Sequence, residues 1–149
     1  MIPFMILFLL IAPFISASWD VFYFHISVTC HYQEQPFYTY SIKFYEYDTI
    51  SNDEELTEWS QEKVIKKGEV GKQIIPGKMD GDGPGSHYEI YAEIQHDCIP
   101  GGYRTKTRVY LTAKEDCKED GKDCYVYAWF DLTDLYVPTE IGVQIKQSE

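Results

Sequence analysis

The sequence predicts an all-β protein: an antiparallel sandwich of roughly seven strands, stapled by disulfides. Three observations lead there. Apolar residues recur at every second position in several short runs, and Gly, Pro and polar turn residues separate those runs. Aromatic residues make up 16% of the chain, including 13 tyrosines, a composition that suits pleated strands. Four cysteines (Cys30, Cys98, Cys117 and Cys124) follow an apolar leader, and an even count in an exported chain reads as two disulfides.

The leader is residues 1–18, MIPFMILFLLIAPFISAS, which carry no charged side chain and end in Ser16-Ala17-Ser18. A membrane span needs about 20 apolar residues, so a cleavable signal peptide is expected, cut near Ala17 or Ser18. A signal anchor is the rival, disfavoured because no stop-transfer pattern or positive flank follows. Residues 19–149 then make one domain, and roughly 130 residues suffice for a single core. No later segment is apolar enough to span a bilayer as a helix. The net charge of −11 argues against general nucleic-acid binding and adhesion to anionic membranes. The only Asn, Asn52, is followed by Asp-Glu, so no N-glycosylation sequon exists.

Along the domain, Phe22, Phe24, Ile26, Val28 and Cys30 fall at spacing two and share one strand face. Tyr40, Ile42 and Phe44 do the same in the second run. SNDEELTEWSQEKVIKKG is ambiguous: Ser51 with Glu54 makes a capping-box pattern, and Lys-Lys-Gly is a helix stop. Its apolar residues Leu56, Trp59, Val64 and Ile65 make only a narrow stripe, so loop or irregular strand is expected, with room for a short helix. Tyr88, Ile90, Ala92, Ile94, His96 and Cys98 alternate cleanly, as do Thr107, Val109, Leu111 and Ala113. YVYAWFDL and IGVQI supply two further short strands.

The cysteines follow this parity. Cys30 goes with Ile26 and Val28, and Cys98 with Ile90 and Ile94, so both point inward from strand ends where a bridge could join them. Four cysteines permit three pairings. Cys117 and Cys124 sit in CKEDGKDC, where a local bridge would close a hairpin and is the simplest complement.

Four runs together resemble the nematode transthyretin-like proteins. KFYEYDT, from Lys43 to Thr49, is similar to that family's K-L-Y-[DE]-x-D-T segment. YEIYAEIQHDC resembles its strand ending in His-x-Cys, and Val28-Thr29-Cys30 resembles its first-strand cysteine. Ile141-Gly142-Val143-Gln144-Ile145 resembles the closing I-G-x-x-[LI] strand. Two positions depart from the pattern: Ile26 stands where Gly is usual, and Gln73 stands where Phe is expected in Gly71–Gly77. The resemblance implies a divergent, secreted member with a transthyretin-like sandwich, a Cys30–Cys98 bridge and no assigned biochemical activity.

Candidate chemistry is sparse. MDGDGPG offers Asp80 and Asp82, but an EF-hand frame started at Asp80 puts Pro84 at position 5 and Tyr91 at position 12. A turn-forming connector is expected there. Cys30, His31, His96 and Cys98 would make a zinc set only with reduced thiols, so neither metal nor cofactor is expected. A fold related to transthyretin is shared by 5-hydroxyisourate hydrolases, which end in a Tyr-Arg-Gly-Ser tail. This chain ends Lys-Gln-Ser-Glu and has no G-x-S-x-G elbow, so an enzyme is not expected.

Binding is the remaining class. Arg104, Lys106 and Arg108, with Tyr110 next in the series, form a cationic row that could hold phosphate, sulfate or carboxylate. Alternatively those cations pair with the protein's own acids or guard a sheet edge. Tyr125, Tyr127 and Trp129 oppose Val126, Ala128, Phe130 and Leu132, so that strand is either covered twice or shows aromatics to a partner. The expectation is a secreted, non-catalytic binding or signalling module that takes an extracellular protein, an anionic surface or a small apolar ligand. A residual hydrolase and a purely structural extracellular component are the alternatives.

Overall fold

The computed structural model describes residues 19–32, 34–48, 52–80, 88–111, 123–133 and 143–147. Among them it is all-β, with nine strands in two sheets and no helix. The strands are β1 (Trp19–Thr29), β2 (Phe37–Glu46), β3 (Glu54–Glu55), β4 (Lys63–Lys66), β5 (Gly71–Asp80), β6 (Ile90–His96), β7 (Thr105–Tyr110), β8 (Cys124–Asp131) and β9 (Val143–Gln147). The first sheet runs β5-β1-β8-β9, the second β3-β2-β6-β7 with β4 also paired to β2.

Period-two patterning decides which side chains meet between the sheets. Burial alternates along β1, so Phe22, Phe24, Ile26 and Val28 enter the core as their spacing predicts. From the facing sheet come Tyr38, Tyr40, Ile42 and Phe44 of β2 and Ile90, Ala92 and Ile94 of β6. The Phe24 and Phe44 rings stack across the gap with centroids 3.8 Å apart. Cys30, just past β1, and Cys98, just past β6, are joined in a disulfide with a Cα separation of 6.0 Å. The bridge ties one sheet to the other across a sequence separation of 68, a loop for which chain-entropy reasoning gives about 4 kcal/mol of stabilisation. Cys124 is also disulfide-bonded, while Cys117, its expected partner, lies outside the described residues.

Two elements differ from expectation, and a third resolves an ambiguity. The β1–β8 pairing is parallel inside an otherwise antiparallel architecture, from Phe22 opposite Cys124 to Thr29 opposite Asp131. Parallel neighbours need a long crossover, and here the intervening chain builds the whole second sheet. The ambiguous segment forms β3 and β4 on one edge of β2, with no helix in its described part. Between those two strands the Thr57 and Ser60 hydroxyls accept the Phe44 and Ile42 amides at 3.0 Å each, doing the work of strand carbonyls. Leu56 is buried there, which ties the segment to the core in a way a narrow helical stripe would not. Finally, β5 is a ten-residue strand containing Pro76. It is an edge strand, and Pro lacks the N–H that only an interior strand would need on both sides.

Candidate functional site

The outward residues of the second sheet include the cationic row. Arg104 precedes β7, and Lys106, Arg108 and Tyr110 follow on its exposed face. Strand β6 stands beside it in antiparallel register, with Glu93 opposite Arg108 and Gln95 opposite Lys106. Glu93 thereby holds two cations, Lys106 Nζ at 3.2 Å and Arg108 Nη2 at 3.2 Å. Burial pushes the Glu93 carboxyl up, but the hydrogen bonds and charges of Lys106 and Arg108 outweigh it and hold the group below the ordinary carboxylate range.

The network extends to both sides. Arg104 is bonded to the Glu62 carboxylate, and its Nη2 donates to Gln95 Oε1 at 3.1 Å. The Arg108 guanidinium lies 4.4 Å from the centre of the Tyr91 ring, and its Nη1 is 3.9 Å from Asp53 Oδ2. Tyr91 donates its hydroxyl to the same Asp53 oxygen at 2.8 Å. Burial first, then that bond, raises the Tyr91 phenol. Tyr45 stacks on Tyr91 at 5.0 Å, and Lys43, itself buried, reaches Glu55 at 2.6 Å. All three cations of the expected contact row are thus engaged by the protein's own oxygens. An anionic ligand would have to displace carboxylates already in place.

The outer face of the first sheet is built differently. Registers place Pro76, Tyr23 and Tyr125 in one row, Ile74, His25 and Tyr127 in the next, and Lys72, Ser27 and Trp129 in a third. Tyr23 stacks on Tyr125 at 5.1 Å and His25 on Tyr127 at 4.6 Å. Ile74 is 60% exposed, Trp129 54% and Tyr127 38%. The expected stripe Tyr125, Tyr127 and Trp129 therefore faces outward, while Val126, Ala128 and Phe130 fill the core. The three rows hold no carboxylate. Asp80 and Asp131 stand at the strand ends, and Asp131 Oδ2 is 3.4 Å from His31 Nε2. On the far side, register sets Gln144 beside Tyr127 and Lys146 beside Tyr125.

Sequence reasoning found the β8 stripe but missed Tyr23, His25, Lys72 and Ile74, which complete its face. The signal for the first two was present, since they alternate with Phe22 and Phe24. Lys72 and Ile74 lie in a run whose Gly and Pro hide its strand parity.

The other candidate groups separate. Cys30 and Cys98 are oxidised to the bridge, so the thiolates a zinc set would need are not there. His31 sits at the surface with Asp131, whereas His96 is buried, its Nε2 3.5 Å from Thr107 Oγ1 and its Nδ1 without a partner among the described residues. Burial pulls the His96 pKa down, against a smaller opposing effect of Asp97, which favours the neutral ring. Met79 is buried at the end of β5, and Asp82 with the rest of the Gly-rich run lies outside the described residues. No helix among the described residues is long and apolar enough to cross a membrane. Compared with known proteins, the chain matches no family model, no curated protein and no solved structure.

Proposed function

We propose that this chain is a secreted, non-catalytic binding module and a divergent relative of the nematode transthyretin-like proteins. It engages an extracellular partner non-covalently through the outer face of β5, β1 and β8. The observation that carries this reading is the composition of that face. In a chain of net charge −11, three adjacent rows carry no acid and expose Ile74, Tyr127 and Trp129. Tyr and Trp combine large apolar area with few rotatable bonds, which suits them to anchor an interface. The inter-sheet disulfide fits an oxidising compartment, and the two-sheet sandwich with a Cys30–Cys98 bridge agrees with what the family resemblance implies.

Capture from the native extracellular fluid with three forms of the protein tests the assignment. Wild type and Arg104→Ala with Arg108→Ala should retain the same partner, whereas Ile74→Ser with Trp129→Ala should lose it. Loss with the arginine pair and retention with the other would move the contact to β7. Turnover of a substrate panel would replace binding by catalysis.

A further inference from the structure

Strand β5 ends the first sheet, and part of its outer edge is open. The Lys78 amide donates away from β1, to the Leu56 carbonyl at 3.0 Å. Residues of an antiparallel strand alternate between those that exchange bonds with the neighbour and those that do not. Lys78, opposite Val21, is of the second kind, and so are Pro76, Ile74 and Lys72, opposite Tyr23, His25 and Ser27. Pro76 fits that parity, since it has no N–H and sits where β1 needs none. The amides and carbonyls of Lys72 and Ile74, with the Pro76 carbonyl, therefore point out of the sheet edge. Among the described residues no backbone group bonds them. A cleft of about 540 Å³, lined by residues 72–76 and 58–61, leaves room beside them.

The open stretch matches itself. Leu56 covers the edge at Lys78, and the strand begins at Gly71, so residues 72–76 remain, centred on Ile74. A two-fold axis at Ile74 lays this stretch antiparallel against the same stretch of another copy. Each Ile74 amide then meets the other copy's Ile74 carbonyl, and each Lys72 amide the other copy's Pro76 carbonyl. Every outward donor is used, and only the Lys72 carbonyl, at the end of the ladder, is left to water. Charge agrees with that pairing. The net charge of −11 opposes self-association at long range, but from Gly71 to Met79 the strand has two lysines and no carboxylate. Register sets each Lys72 opposite the other copy's Pro76, which lines two grooves together with Glu58. Each ammonium thus approaches an opposite charge.

We propose that the chain forms a two-fold dimer in which the 72–76 edges of two copies pair antiparallel about Ile74. The two first sheets join into one, with both outer faces on the same side. Five residues a side fall well short of the about 20–30 of a standard interface, so the dimer is weak, dissociating in the micromolar range or above. The contact uses the strand edge and not the outer face, so it stands apart from the preceding reading.

Sedimentation from micromolar to millimolar concentration tests this and should show an equilibrium that stops at two copies. Hydrogen exchange at the Lys72 and Ile74 amides should slow as concentration rises, whereas the Gln73 and Ile75 amides, which bond β1, stay protected throughout. Ile74→Pro removes an outward donor and no bond to β1, as Pro76 does. It should raise the dissociation constant at least about fivefold, because symmetry removes two bonds at once. Ile74→Lys keeps the amide but sets like charges against each other across the axis, and it should weaken the dimer too. Trp129→Ala, two strands away on β8, should leave it unchanged. A monomer at millimolar concentration, growth beyond two copies, an unchanged dissociation constant in Ile74→Lys, or loss of the dimer in Trp129→Ala would each overturn the proposal. If the protein stays monomeric while Ile74→Ser with Trp129→Ala still abolishes partner capture, the edge contact falls and the binding face stands.

Discussion

The two outer faces of this sandwich use the same strand geometry, and they dispose of their exposed side chains in opposite ways. On the second sheet, β6 brings Glu93 between Lys106 and Arg108, and the 53–62 segment adds Asp53 and Glu62. Charges there are matched internally, and Tyr91 is covered by Arg108 on one side and Tyr45 on the other. On the first sheet, aromatic rings stack along the rows but nothing in the described chain lies over Ile74 or Trp129. Matched charges make a face self-sufficient. Exposed rings leave one available. The contrast teaches that a cationic row in an acidic protein is weak grounds for a binding site until its acids have been located.

The comparison presumes that the two sheets form one cooperative unit, and the bridge between them tests that most severely. Replacing Cys30 and Cys98 by Ala should lower unfolding free energy by about 4 kcal/mol, read from the urea midpoint. Fluorescence of the first-sheet Trp129 and chemical shifts from the second sheet should still report one transition. Separate midpoints would mean that the faces belong to sheets that fold independently, and the contrast between them would lose its structural basis.

A smaller effect separates the faces directly. Glu93→Ala leaves Lys106 and Arg108 without their shared acceptor and should cost about 1–2 kcal/mol, discounted because both cations are half exposed. Lys106→Gln removes only one exposed arm and should cost less than about 1 kcal/mol. If Glu93→Ala proves neutral by chemical denaturation, the second face is not held by its ion network.

Acid should act on the interior before it reaches that network. His96 has a folded pKa below its ordinary value of 6.5, so the unfolded chain takes up a proton that the folded protein resists. Stability is therefore complete above pH 6.5 and falls as pH drops below it, at up to about 1.4 kcal/mol per pH unit. Glu93, depressed below 4.5, contributes stability that is present above pH 4.5 and is lost as pH falls through its folded pKa. The ordinary values thus predict two successive losses. His96→Phe should remove the first and leave the second, in stability measured from pH 8 to 3. A wild-type profile flat down to pH 4.5 would contradict the buried neutral ring.

Much of this was legible from alternation alone. Phe22 to Cys30 puts an apolar residue on every second position, and burial follows it through β1; Ile90, Ala92, Ile94 and Cys98 are buried as their spacing predicts, although β6 is buried on its other face as well. Strand β5 was not legible as a strand. Gly71 and Gly77 occupy inward positions without apolar side chains, and Ile74 is an outward isoleucine beside an inward one, Ile75. A Cβ at Gly71 would come within 2.6 Å of Tyr40 Cε1, so the large tyrosine from the other sheet takes the space that patterning expects an apolar residue to fill. The 51–67 region was ambiguous for another reason. Its hydroxyls bond the backbone of β2, a long-range contact that no local helix signal can report. For the site, parity showed which residues share a strand face. Which acids lie opposite the cations depended on the β6–β7 register and on where residues 53–62 cross.

The smallest expected effect on stability is the one that decides most about function. Ile74→Ser with Trp129→Ala removes apolar side chains that are more than half exposed, so little burial is lost and unfolding free energy should change by no more than about 0.5 kcal/mol. Tyr127 keeps its stack on His25 in that variant, and the inward residues of β8 are untouched. A stability-neutral change that abolishes partner capture separates the two uses a protein has for an exposed aromatic. One is packing, which thermal and chemical denaturation would register; the other is recognition, which they would not. A loss of 2 kcal/mol or more, at the scale of a buried side chain, would show that these residues hold the sheet together, and the first face would then be as self-sufficient as the second.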